Sequence, residues 1–154
     1  MAVDETIMLG LALRFHVVID GIDLGNWAKA EGLDVTWELA EYRAGDSANY
    51  RWFFPAATKF SNVKLTRAVS KESGKVMQWL SKVSFSSDQA KMIGHIQMLD
   101  ATNKAPVSTW TLEGVMPVHY SGPQFDATAS KVATETLEIA HLGFLDAMSG
   151  QYTK

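Results

Sequence analysis

The residues with the plainest capacity for chemistry are four histidines and seventeen carboxylates. His16 stands between Phe15 and Val17, on the polar parity of a strand that also carries Arg14 and Asp20, and reads as an exposed strand histidine. His95 could meet His16 across a sheet, but two imidazoles without a third ligand do not make a metal site. His119 and His141 have no acidic partner at helical metal-motif spacing. Glu135 and Glu138 sit three apart on a strand-like run, so their side chains point to opposite faces and cannot act as an acid/base pair. The chain has no cysteine, which excludes thiolate nucleophiles, disulfides and cysteine-ligated zinc. Glycine-rich phosphate loops, the paired-glycine dinucleotide turn and the serine elbow are missing. No catalytic, cofactor or metal site is therefore expected, and the chain does not read as an enzyme.

The aromatic residues carry more information. Trp37, Trp79 and Trp110 fall at apolar positions of periodic segments and read as core. Trp52 lies beside Phe53 and Phe54 in a segment without periodicity, a cluster better suited to anchoring another protein than to stacking a sugar.

The elements that must position these residues are mostly strands. Leu11, Leu13, Phe15, Val17 and Ile19 alternate with Arg14, His16 and Asp20, ending at the turn signal Asp20-Gly21. A short return covers Ile22 to Leu24, and a loop is expected around Gly25-Asn26-Trp27. A second strand spans Leu33 to Tyr42, with Leu33, Val35, Trp37 and Leu39 on its apolar face. From Arg43 to Asn62 the period disappears, predicting a long loop that holds Tyr50 and Phe60 besides Trp52, Phe53 and Phe54. Strands follow at Val63 to Val69 and Met92 to Ala101. Between them lies a helix, Ser73 to Val83, with Ser73 as its cap and Val76, Met77, Leu80 and Val83 as its stripe. The last two strand runs start near Pro106 and Thr134, and Pro117, Gly122 and Pro123 predict a bent connection between them. Such a chain, six or seven strands with one helix, is mainly β: an antiparallel sandwich or barrel with a flanking helix.

The totals agree with one domain. A chain of 154 residues with 47% hydrophobic and 20% charged residues is globular. Its net charge of −3 lacks the basic excess of a nucleic-acid binder. The apolar N-terminal run follows Asp4 and Glu5 instead of basic residues and is broken by Arg14 and His16, so export through a signal peptide is not expected.

An ordered set of segments carries a family resemblance over nearly the whole chain. It comprises Gly32-Leu33-Asp34-Val35, Glu41-Tyr42-Arg43-Ala44-Gly45, Lys64-Leu65-Thr66-Arg67-Ala68-Val69 and Met77-Gln78-Trp79-Leu80. It continues with Trp110-Thr111-Leu112-Glu113, Met116-Pro117-Val118-His119-Tyr120-Ser121-Gly122-Pro123 and Val132 to His141. Together they resemble the tube proteins of contractile phage tails and of phage-tail-like injection systems. The chain departs from the family pattern at Ala68, where glycine is common, and at Tyr50 to Phe54, where the family loop is more polar.

The resemblance implies a hexameric ring whose subunits each lend strands to one closed barrel, with rings stacked into a rigid hollow tube. It implies a contractile sheath around the tube, baseplate or spike and terminal cap proteins at its ends, and protein cargo in the lumen, or DNA in a phage. It implies no cofactor and no direct membrane binding. The particle would form from protein made in the bacterial cytoplasm, staying there or being released. A closed barrel wets one strand face, so Asp34, Thr36, Glu38, Lys64, Thr66, Thr134, Thr136 and Glu138 are expected to line the lumen. The aromatic loop is expected to join successive rings through Arg43, Asp46, Tyr50, Arg51, Trp52, Phe53 and Phe54. The helix would lie outside the barrel. The rival readings are a phage tube conducting DNA, a type VI-like tube and, of different classes, a monomeric carbohydrate-binding sandwich or a small enzyme.

Overall fold

The computed structural model describes residues 14–43, 45, 50–86, 92–99, 105–124, 126–128 and 130–145. Alternation builds its first strand: in β1 (Arg14–Ile19) Phe15, Val17 and Ile19 are buried and the intervening residues are not. The expected beginning at Leu11 falls outside the described residues. Asp20 and Gly21 both take positive φ, as a tight hairpin turn requires. The chain then returns as β2 (Ile22–Trp27), antiparallel to β1 with a bulge at Val17/Val18. Gly25-Asn26-Trp27, expected as a loop, belongs to β2. The bulge breaks the strict period there, and Trp27 is buried.

The remaining strands are β3 (Lys29–Glu31), β4 (Val35–Tyr42), β5 (Trp52–Phe60), β6 (Val63–Ala68), β7 (Gly94–Leu99), β8 (Pro106–Leu112), β9 (Met116–Ser121) and β10 (Thr134–Ala140). They form two four-stranded antiparallel sheets, β2-β1-β7-β8 and β3-β6-β10-β9, and a separate two-stranded ribbon, β4-β5. The inner faces of the two sheets share one core, in which Val17, Ile19, Ile96 and Leu112 meet Val63, Leu65, Leu137 and Ile139. No sheet among the described residues closes into a barrel on its own.

The helix, α1 (Ser73–Phe85), runs two residues past its expected end and packs against β2, with Val76 and Trp79 buried. Met77, expected on the apolar stripe, is exposed, and Trp79 takes that place. Ser73 does not cap the helix. Glu72 is the cap residue and makes no side-chain cap bond, while the Ser73 hydroxyl donates to Glu135 at 2.9 Å.

Three expectations about strands need correction. The segment 43–62 is not a loop throughout, since Trp52–Phe60 is a nine-residue strand paired with β4. Its alternation was hidden because aromatic residues occupy both faces and Pro55 sits within it, next to a bulge that tolerates a missing N–H. Trp37 and Leu39 are not core residues: they are 54% and 62% exposed. Pro117 does not interrupt the sheet either. It lies inside the edge strand β9 at the Glu138/Ile139 bulge, where its lack of a donor costs little.

The ribbon extends the sandwich without a change of register. Lys29 faces Thr66 and Glu31 faces Lys64; beyond a short break, Val35 faces Phe60 and Thr36 faces Lys59 at the same offset. Gly32 makes the break possible. Its φ is +91°, and a Cβ there would overlap the Asn62 carbonyl oxygen. Gly32→Ala is therefore expected to destabilise the chain by about 1–3 kcal/mol, measured as a lowered urea midpoint; a midpoint equal to wild type would show that the ribbon base is relaxed.

Candidate functional site

Two surfaces and one buried cluster contain the candidate residues. The first surface is the outward face of β3-β6-β10-β9. Lys64, Thr66, Thr134, Thr136 and Glu138 all lie on it, because each alternates with a buried neighbour on β6 or β10. Thr136 stands between Thr66 and Ser121, and Glu138 stands between Lys64 and His119. Glu138 also accepts a hydrogen bond from the Asn62 amide at 3.1 Å. Lys29, Glu31, His119 and Ser121 complete this face and were missed by the sequence reading. The three residues of β3 are too few to show a period. Charges alternate here: Lys29 pairs with Glu31 and holds its carboxyl below the ordinary carboxylate value.

Asp34, Thr36 and Glu38 are not part of that face. Asp34 lies at the root of the ribbon, its carbonyl accepting from the Ser61 N–H at 3.3 Å. Thr36 and Glu38 are on β4, and Glu38 pairs with Lys59 across the ribbon.

The ribbon is the second surface. Every residue of β5 except Phe60 is exposed. Tyr42 faces Trp52 and Ala40 faces Phe54, which puts Tyr42, Trp52 and Phe54 on one side. Phe53 faces Glu41 and shares the other side with Trp37 and Leu39. Arg51 pairs with Glu41 at 2.9 Å near the tip, beside Arg43 and Tyr50. Asp46 lies outside the described residues. An isolated two-stranded ribbon is marginal in water, and this one exposes large aromatic side chains on both sides.

The candidates for catalysis do not converge. His16 contacts Asn26 at 3.0 Å and Asp23 at 3.2 Å, while His95 contacts Thr111 at 3.2 Å. Among the described residues no three His, Cys, Asp or Glu side chains gather as metal ligands. Glu135 is fully buried and Glu138 faces outward, on opposite sides of β10.

Glu135 and Arg67 form the buried cluster, which the sequence reading did not recognise. Arg67 Nε donates to Glu135, its Nη1 donates to the Leu24 carbonyl at 2.6 Å, and its guanidinium lies 4.0 Å from the Trp27 ring centroid. Glu135 also accepts from Ser73 and, at 2.8 Å, from the Tyr120 hydroxyl. Burial, reinforced by the Glu135 carboxylate, pushes the Tyr120 hydroxyl up to about 12. The available signal was parity. Arg67 shares the parity of Val63 and Leu65, and Glu135 that of Leu137 and Ile139, so two opposite charges were directed into one core. The pair ties β2, β6, β9, β10 and α1 together.

The family model for the T4-like virus tail tube protein gp19 matches residues 11–145. Solved structures share the fold. A chain of the PVC sheath-tube complex in its extended state, from an extracellular contractile injection system, has a TM-score of 0.66 at 22% identity, covering 82% of this chain and 83% of that one. A chain of the anti-feeding prophage cap gives 0.67 at 20% identity, covering 84% of each. A chain of the anti-feeding prophage baseplate gives 0.64 at 23% identity, covering 86% of this chain and 93% of that one. No curated protein sequence matches this chain. No helix among the described residues is long and apolar enough to cross a membrane.

Proposed function

The chain belongs to the T4-like virus tail tube protein gp19 family, and from that premise we propose that copies of it close into hexameric rings that stack as the inner tube of a contractile injection system. The observation that carries the ring is the unfinished sheet. In β3-β6-β10-β9 each strand runs opposite to its neighbour, so the two edges, β3 and β9, are antiparallel to each other. Adding β9 of one copy to the β3–β4 edge of the next continues the alternation and leaves no free edge once the ring closes.

The aromatic shaft of the ribbon belongs to the same junction, where Trp37, Leu39 and Phe53 would be covered on one side and Trp52 and Phe54 on the other. The tip, with Arg43, Asp46, Tyr50 and Arg51, reaches the next ring. Lys64, Thr66, Thr134, Thr136 and Glu138 line the bore, joined by Asp34, Thr36 and Glu38 at the junction. Paired charges and hydroxyls make that wall hydrated and non-adhesive, which suits the passage of protein cargo. The role is structural and non-enzymatic. A contractile sheath covers the outside, and baseplate and cap proteins end the tube.

Negative-stain microscopy of the purified chain tests the proposal. Rings with an open centre, alone or stacked, are expected; a monomer at every concentration would overturn it.

A further inference from the structure

The ribbon joins the sandwich through a small clamp built by the chain that follows β10. The His141 Nε2 donates to the Ser61 carbonyl at 2.9 Å, one residue after β5 ends. Phe60, the last residue of β5, packs against His141 with ring centroids 5.6 Å apart and against Phe144 at 5.3 Å, edge on. Gly143 lies so close beneath Phe60 that an added Cβ would sit 3.0 Å from its ring. Glu113 and the 142–143 backbone exchange hydrogen bonds of 2.8 and 3.0 Å and hold this segment to the other end of the core. The His141 Nδ1 is buried without a hydrogen-bond partner among the described residues.

We propose that His141 is a proton-sensitive hinge pin, fixing the angle of the β4-β5 ribbon when neutral and releasing it when protonated. In its neutral form the ring donates from Nε2 to Ser61 and keeps an unpaired acceptor, not a charge, at Nδ1. A proton added at Nδ1 charges a half-buried ring that packs against Phe60 and Phe144, with no carboxylate paired to it among the described residues. Among the described residues, the charged groups on the surrounding elements are Asp34 and Lys59 at the ribbon root, Lys64 on β6, Glu138 on β10 and Glu113 beside Gly143. None forms an ion pair with His141 among the described residues; Lys59 is held by Glu38, and Glu138 is held by Asn62.

Burial pushes the imidazole below its ordinary value, against the opposing effect of the backbone at Ser61 and Gly143. Its folded value is therefore lower than its unfolded one. The clamp's contribution is complete above the ordinary histidine range and is lost as pH falls through that range toward the lowered value. The ribbon is a lever: at about 3.3 Å per residue, its strands carry any root rotation to a tip tens of ångströms away. This inference relies on the ribbon being the arm that joins copies, so acid is expected to loosen assembly.

The test follows amide hydrogen exchange of residues 52–60, corrected for intrinsic rates, between about pH 8 and pH 5, with sedimentation of the same samples. Wild type is expected to lose both ribbon protection and sedimenting assemblies toward the acid end. His141→Gln, which keeps a donor for Ser61 but cannot charge, is expected to retain both. Equal acid loss in His141→Gln overturns the inference. If no assembly appears at any pH while only the wild-type ribbon loosens in acid, the ring reading fails and the hinge stands. Should the variant not fold, the His141 titration in wild type followed by NMR decides: a value at or above that of an ordinary histidine overturns the inference.

Discussion

Replacing Glu135 with alanine is expected to destabilise the chain by about 3–5 kcal/mol, the largest loss from a single carboxylate among the described residues. The carboxylate is fully buried and Arg67 is 4% exposed, so the substitution leaves a guanidinium in the core with only the half-exposed Glu72 carboxylate, 3.5 Å from Nη1, as counter-charge. It also strands the hydroxyls of Ser73 and Tyr120, which lose their acceptor. Removing both charges together tells a different story. Arg67→Met with Glu135→Leu takes away the desolvation cost along with the attraction, and such swaps are often neutral or stabilising. The double variant is therefore expected to recover part of that loss in urea unfolding, the remainder being the Ser73 and Tyr120 hydroxyls and the Leu24 carbonyl left without partners. A loss in Glu135→Ala below about 1 kcal/mol, the typical worth of one neutral hydrogen bond, would mean that the pair is well solvated and the core reading wrong.

Changing Trp37, Leu39, Trp52, Phe53 and Phe54 together to threonine is expected to abolish ring formation while leaving the sandwich folded. All five are more than half exposed in the single chain, so the sandwich core does not depend on them. Threonine keeps strand propensity and removes the apolar area. Each large side chain is worth roughly 1.5–3 kcal/mol when fully buried, and association has no reserve to absorb five such losses. Sedimentation velocity should show one slow species with an unchanged thermal transition. By contrast, Tyr50→Ser with Arg51→Ser at the tip is expected to leave single rings and prevent stacking. Rings that survive the shaft substitutions would remove the ribbon from the junction.

Much of the sandwich was legible because its strands have one buried face. In β1 and β10 the alternation of Phe15, Val17 and Ile19, and of Leu137 and Ile139, is the direct imprint of that face. The same rule misled on the ribbon: Trp37 and Leu39 read as core, yet the described residues leave both more than half exposed. It was silent for β5, whose two sides are both aromatic, and for β3, which is three residues long. The bore candidates on β6 and β10 were found by parity and do share a face. Their companions Lys29 and Ser121 could be found only through strand pairing, which alternation within one strand does not reveal. Arg67 and Glu135 were passed over because polar residues are expected to point outward.

In the proposed ring, the antiparallel edges β3 and β9 also bear on the number of copies. Each copy contributes an even set of alternating strands, so four, six or nine copies would satisfy the hydrogen-bond ladder equally well. Stoichiometry therefore cannot be encoded in the pairing pattern. In the proposed ring it is left to curvature: sheet twist and the bulges in β9 and β5 set the wedge that would fix where the circle meets itself.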